Sequence, residues 1–170
     1  MYLQSQSRLH ENRPDLAGEH KFTDAGQIII LVVFLAVWIL DSFIFKFSTL
    51  LADYARWYFR FIPGILMLVI GVYMSWKGIS IVFGEKRDPP QVISKSVFSF
   101  VRHPVYLGSI LSILGLVIIT LSILSFIIWL ITVIFYYYVS RFEEKLLIAK
   151  FGQEYEDYMR KVPMLFPFKL

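Results

Sequence analysis

The chain has no cysteine. That excludes a disulfide framework, a thiolate nucleophile and a cysteine-based metal site. Histidine is scarce, and of the three present only His103 stands next to a long apolar run. His10 and His20 lie in a polar N-terminal stretch and read as solvated side chains. Charge is thin as well, at 18% of residues against about 25% in an ordinary soluble domain. The widest gap is local. From residue 104 to residue 140 there is no Asp, Glu, Lys, Arg, His, Asn or Gln. A net charge of +4 is too small to suggest a nucleic-acid partner, and in a membrane protein it reflects topology first.

What fills the gaps is hydrocarbon. Hydrophobic residues make up 57% of the chain, and the mean hydropathy is +0.62. They come in blocks long enough to cross a bilayer core of about 30 Å, which takes about 20 apolar residues per helix. The expected fold is therefore an all-α integral membrane protein. It has about four transmembrane helices and a C-terminal amphipathic interfacial helix.

Three parts follow in order. A polar arm covers 1–26. Two transmembrane helices lie within 27–83, the first over Ile28–Phe45 and the second over Phe61–Phe83. The rest, 84–170, carries a helical hairpin and the C-terminal helix. No signal-peptide pattern precedes the first block, so it is expected to stay as a span. Asp41 near its far end is expected at the interface or paired with Lys46, with a polar cavity as the alternative. Pro63 is placed in the first turn of the second span, where its missing N–H costs little. Gly64, Gly71, Ser75 and Gly78 suit close helix packing.

After an irregular segment over 92–101, Pro104 begins the third span. A break near Thr120–Ser125 divides the long apolar run into two antiparallel helices. The fourth span runs from about Leu124 to Val139, and Tyr136, Tyr137 and Tyr138 are expected at the membrane interface. Beyond it, Phe151, Tyr155, Tyr158 or Met159, and Val162 recur at helical spacing and predict one apolar stripe on a surface helix. Glu156 with Arg160 and Asp157 with Lys161 are spaced as i,i+4 pairs. The tail from Val162 to Phe168 is expected to fold back over the hairpin. Four spans place both termini and the 84–102 loop on one side, with thirteen Lys and Arg, or fourteen counting Lys77, against Lys46, Arg56 and Arg60 on the other. The positive-inside rule makes the richer side cytosolic.

A hairpin returns the chain to the face it left. Arg102 and His103 at its start must then meet Arg141, Glu143 and Glu144 at its end. His103 stands just before a helix start, where free N–H groups and the dipole favour an anionic group. Glu143 and Glu144 suit a cation or hydrogen-bond donors. Tyr106 lies one turn into the helix, and Gly108 admits a close neighbour, whether ligand or backbone. Two readings stand side by side: a site for a ligand carrying both signs, and an ion-pair knot that only pins the hairpin. Metal is not expected, because adjacent carboxylates on a helix point apart and no second histidine is at hand. A hydrolase reading lacks a nucleophile and base pair.

The motif Arg-His-Pro-Val-Tyr-Leu-Gly at 102–108, the pair Glu143-Glu144, and then Leu147, Phe151-Gly152, Glu154-Tyr155, Tyr158 and Val162-Pro163 resemble the isoprenylcysteine carboxyl methyltransferase and phospholipid methyltransferase superfamily. The resemblance covers about 84–168. It implies a membrane methyltransferase using S-adenosylmethionine, with 84–170 as its cofactor-binding core. On the family pattern His103, Pro104, Val105 and Tyr106 contact the cofactor, Glu143 helps to hold it, and the preceding loop wraps it through Gln91, Val92, Ile93 and Phe98. Arg102, Tyr106, Glu144 and Arg141 are the candidates for the catalytic side. The family's Gly-Pro turn before the motif is replaced here by Ser96-Val97, and Val139 stands where the eukaryotic enzymes place an arginine four residues before the cofactor glutamate. Arg141 is the nearest substitute. The resemblance implies a lipid-borne or amphipathic methyl acceptor at the bilayer, of the isoprenylcysteine-carboxylate type, with a phospholipid amine or a small thiol as alternatives. An NADPH-dependent sterol-reductase-like enzyme and a non-catalytic membrane scaffold are the alternatives of other classes.

Overall fold

The computed structural model describes residues 21–84 and 89–167. The arm with Arg8, His10, Arg13 and His20, the loop residues Lys86, Arg87 and Asp88, and Phe168 and Lys169 lie outside the described residues.

Helix α1 spans Lys21–Ile39 and continues as a π-helical turn over Leu40–Phe45. A short α2, Leu51–Tyr54, leads into α3, Trp57–Gly84. A 3-10 turn over Ser96–Ser99 precedes α4, Pro104–Thr120, which a tight turn joins to α5, Ile123–Phe151, and α6, Gln153–Lys161. Three segments, Ala25–Phe45, α3 and α5, are long and apolar enough to cross a membrane. Helix α4 is apolar but has 17 residues, about 25 Å at 1.5 Å per residue. The chain is an all-α integral membrane protein, with three long apolar helices and this shorter one.

Small residues decide how α3 meets α4. A Cβ added at Gly71 would stand 2.5 Å from the Gly108 carbonyl, and one at Gly115 2.6 Å from the Gly64 carbonyl. Without side chains in the seam, backbone lies against backbone, as small residues allow between membrane helices. Gly108 thus serves helix packing.

The turn between α4 and α5 falls where the sequence places it. Leu121 takes a left-handed φ of 52°, and the Ser122 hydroxyl accepts from the Ser125 amide to cap α5. Asp41 meets this turn. It is buried, and its carboxylate accepts from the Ser48 amide and from the hydroxyls of Ser48 and Ser122. Among the described residues its side-chain partners are thus serines, Ser122 lying 81 residues away, and not the exposed Lys46. A carboxylate among apolar helices is tolerable when donors surround it.

On α5 the scarce polar residues turn inward. Ser125, Thr132, Tyr136, Ser140 and Glu144 are buried, while Ile127, Leu130, Ile131 and Ile134 are exposed to the surroundings. That is the pattern lipid favours, since a polar group facing hydrocarbon is costly.

Three expectations need correction. Helix α3 begins at Trp57, so Pro63 lies in its second turn and not its first. The helix of the fourth span does not stop at Val139: α5 runs on unbroken to Phe151, because the change from apolar to charged residues at Arg141 marks a change of surroundings, and no Gly or Pro interrupts the backbone until Gly152. Tyr136 is 5% exposed. It sits in the core, while Tyr137 and Tyr138 are exposed. Gly152, with φ 54°, breaks the chain into α6, whose Tyr155 and Tyr158 are buried with Val162 as one stripe. On its outer face Arg160 pairs with Asp157 at 2.7 Å, with i,i+3 spacing. The tail does fold back: the amides of Arg102 and His103 donate to the carbonyls of Pro163 and Met164 at 2.9 and 3.2 Å.

Candidate active site

The tail holds the Arg102–His103 segment by its backbone, and α6 holds it by its side chains. Arg102 Nη1 donates to the Met159 carbonyl at 3.2 Å, and the Tyr158 hydroxyl donates to the Phe98 carbonyl at 2.6 Å. Burial pushes the Tyr158 hydroxyl pKa up, with Arg102 acting against it. Burial, helped by the Glu144 carboxylate, pushes that of Tyr155 up too. Both phenols are therefore neutral walls at ordinary pH.

Pro104 starts α4 at its first position. That start sets His103 against α5. The imidazole Nδ1 lies 3.5 Å from Glu143 Oε2, and Nε2 lies 3.5 Å from Glu144 Oε1. The two carboxylates address opposite edges of one ring, so no single cation can be held by all three groups. Consistently, no cluster of three or more His, Cys, Asp or Glu suited to a metal occurs among the described residues. Arg102 Nη2 lies 2.8 Å from Glu144 Oε1. This contact is close but off the hydrogen-bonding angle, so it is an ion pair and not an aligned hydrogen bond. The Tyr106 hydroxyl donates to Glu143 Oε1.

His103 is buried, and burial alone would lower its pKa. The carboxylates of Glu143 and Glu144, each 3.5 Å from a ring nitrogen, outweigh that and raise it. The cluster sets Arg102 and a proton-seeking imidazole against two carboxylates.

Its polar capacity is not exhausted. Glu144 Oε2 and His103 Nε2 are buried and have no hydrogen-bond partner among the described residues. A buried carboxylate oxygen left without a donor is costly, and it offers a place to a ligand that brings N–H or O–H groups. Glu143 is the less covered acid, at 14% exposure against 2% for Glu144.

Three rings extend the cluster toward the hairpin core. His103 and Tyr106 are stacked with centroids 5.6 Å apart, and Tyr106 and Tyr136 with centroids 4.9 Å apart. Tyr136 was not among the residues singled out from sequence. Its place in a Tyr-Tyr-Tyr run pointed to the interface, and only the 3.6-residue period through Ser140 and Glu144 marks its buried face.

The other expected residues are spread more widely. Gln91, Val92 and Ile93 run irregularly beside α6, with the Val92 amide donating to Glu154 Oε1 at 3.3 Å. Val92 packs on the Tyr155–Tyr158–Val162 cluster. Phe98 is buried in the 3-10 turn. Val105 contributes its carbonyl to the Ser75 hydroxyl at 3.1 Å, so it serves the α3–α4 seam. Arg141 is exposed and stands two residues before Glu143 on the outer side of α5.

Residues 59–154 match the family model described as phospholipid methyltransferase. The chain is 35% identical over 86 residues to methanethiol S-methyltransferase 1 of Bradyrhizobium diazoefficiens, covering 51% of this chain and 30% of that protein. It is 34% identical over 115 residues to the protein-S-isoprenylcysteine O-methyltransferase of Saccharomyces cerevisiae, covering 62% of this chain and 48% of that protein. It is also 31% identical over 123 residues to the nickel-cobalt-cadmium resistance protein NccN of Alcaligenes xylosoxydans xylosoxydans, covering 69% and 57%. The match spans less than half the length of the two methyltransferases.

Proposed function

The chain belongs to the phospholipid methyltransferase family, and from that premise we propose that it transfers a methyl group from S-adenosylmethionine to an acceptor held at the bilayer. The observation that carries this reading is the meeting of His103 with Glu143 and Glu144, beside a buried carboxylate oxygen that still lacks a donor. It lies inside the stretch that matches the family.

The residues fit the cofactor. Its ammonium brings the donors that Glu144 Oε2 lacks, and its carboxylate suits the positive edge made by Arg102, His103 and the start of α4. Glu143, the less buried acid, is assigned to hold it. Gln91, Val92, Ile93 and Phe98, in the segment before the motif, are assigned to the cofactor as the family pattern implies. When bound, the cofactor supplies a methyl carbon whose bond to sulfur breaks with the electron pair left on sulfur, while an acceptor lone pair makes the new bond.

The chain's own residues hold and orient. Arg102 and His103 fix Glu144, and Tyr106 fixes Glu143, so the acids stand ready without reorganising. Placing two reactants in line is the main source of acceleration for such a transfer. A carboxylate acceptor needs no base. An amine or thiol must lose a proton, and Glu144 or Tyr106 is assigned to take it. The excess of Lys and Arg on the side of both termini supports a cytosolic face for this pocket.

For the acceptor we favour an isoprenylcysteine-like carboxylate, with Arg141 receiving its charge. The match to methanethiol methyltransferases, whose named acceptor is a small thiol, supports a second reading in which a thiol is methylated. Incubating the protein in nanodiscs with methyl-labelled S-adenosylmethionine and, in parallel, an S-farnesylcysteine derivative, methanethiol and phosphatidylethanolamine separates these. Label is expected in a base-labile ester of the first. Label in methanethiol alone would move the assignment to the thiol. No transfer to any of the three, from protein that binds the cofactor, would remove these acceptors.

A further inference from the structure

Ser140 stands on α5 between Tyr136 and Glu144, and all three are buried. Residues four apart on a helix are neighbours on one face, so Ser140 is one turn from each of them. It is 0% exposed, and its hydroxyl has no hydrogen-bond partner among the described residues. Other hydroxyls on α4 and α5 are engaged. Those of Ser109, Ser112, Thr120 and Thr132 each donate to the carbonyl four residues before, at 2.8–3.3 Å. The Tyr136 carbonyl stands in the same relation to Ser140, and the Ser140 hydroxyl does not use it. A buried serine that leaves this local bond unmade keeps both its proton and its lone pairs for something else.

The surroundings say what that is. The Tyr106 ring stacks on His103 on one side and on Tyr136 on the other. His103 Nε2 lies 3.5 Å from Glu144 Oε1. The ring column thus meets α5 at Glu144 and at Tyr136, and Ser140 falls between those two points. At the same end, Glu144 Oε1 and Oε2, His103 Nε2 and Arg102 Nε are also buried without hydrogen-bond partners. Buried polar groups are normally paired. Several unpaired ones in adjoining residues, with a carboxylate among them, suit a ligand that brings N–H donors.

We propose that Ser140 is a further ligand-binding residue of this site: its oxygen accepts one N–H of the cofactor's ammonium while Glu144 accepts another. This rests on the methyltransferase reading and deepens it, by naming a second group on α5 that receives the amino-acid end. An ammonium carries three donors and no acceptor, so one carboxylate leaves part of it unpaired. A serine one turn away on the same face supplies the next acceptor. Packing alone gives no reason for the hydroxyl, since alanine fills nearly the same space and is the better helix former.

The test uses the full chain in nanodiscs, titrated with S-adenosylhomocysteine and with its deaminated analogue, which keeps the nucleoside, the sulfur and the carboxylate. Ser140→Ala is expected to weaken S-adenosylhomocysteine about tenfold, the loss of one hydrogen bond to a charged group. It is expected to leave the deaminated analogue unchanged. Thermal unfolding of the ligand-free protein is the second readout. Removing an unpaired buried hydroxyl is expected to hold or raise the melting temperature, so stability and affinity move in opposite directions. Thr132→Val removes an equally buried hydroxyl that is bonded within α5, and it is expected to leave both affinities unchanged. Ser140→Ala binding S-adenosylhomocysteine as the wild type does would overturn the proposal. So would an equal loss with both compounds, an equal loss in Thr132→Val, or a Ser140→Ala melting temperature below the wild type, which would mean that the hydroxyl is paired in the free protein. Wild type that binds S-adenosylhomocysteine with no penalty in Ser140→Ala defeats this inference alone. Folded wild type that does not bind it defeats the methyltransferase reading on which the inference stands.

Discussion

The guanidinium of Arg102 lies 2.8 Å from the carboxylate of Glu144, and neither side chain is more than 9% exposed. A buried pair of this kind is costly to break from one side, because the charge left behind has no water to turn to. Arg102→Met is expected to destabilise the protein by about 3 kcal/mol or more. The double variant Arg102→Met/Glu144→Leu is expected to recover most of that loss. Unfolding in mixed micelles at graded denaturing detergent measures both. A single variant as stable as the wild type would show that the pair contributes no net stability.

His103 gives the fold a dependence on pH. Its folded pKa is raised, with burial opposed and outweighed by Glu143 and Glu144. A raised value means that the stabilisation is complete below the ordinary pKa of about 6.5 and is lost as pH climbs through the folded value. The melting temperature is expected to fall over that window, and His103→Gln to flatten the slope. Parallel slopes for the two proteins would mean that the imidazole is not the group responsible.

Asp41 marks the other end of the hairpin, remote from His103. Asp41→Ala leaves the Ser48 and Ser122 hydroxyls without their acceptor. A loss of about 1–3 kcal/mol is expected, with binding of S-adenosylhomocysteine retained below the melting temperature. Equal loss of stability and of binding at low temperature would show that this end is coupled to the site.

The α3–α4 seam tolerates no side chain at Gly71, where an added Cβ meets the Gly108 carbonyl at 2.5 Å. Gly71→Val is expected to cost about 1–3 kcal/mol through overpacking. Moving α4 also moves His103, so ligand affinity is expected to fall together with stability. Gly84→Ala, which meets nothing within 4 Å, is the matched control for thermal unfolding.

Much of this was legible in the sequence because lipid simplifies the reading. A charge-free run of twice the needed length has to fold in two, and the polar residues at its ends then have to meet. The glycines of α3 and the aromatic stripe of α6 follow from spacing alone. What was hidden depends on partners far along the chain. Asp41 is matched by a serine 81 residues away, which no local pattern shows. Tyr136 sits in a run that looks interfacial, and its burial depends on which face α5 presents to α4. The continuity of α5 past Arg141 was hidden because composition reports the solvent around a helix and not its backbone.

Titrating the purified chain in nanodiscs with S-adenosylhomocysteine tests the central claim most directly: that the two ends of the α4–α5 hairpin form one cofactor site. The account predicts saturable heat for the wild type, and its loss in Glu143→Ala while the melting temperature stays close to that of the wild type. Folded wild type that gives no heat, or Glu143→Ala that binds as the wild type does, would contradict it.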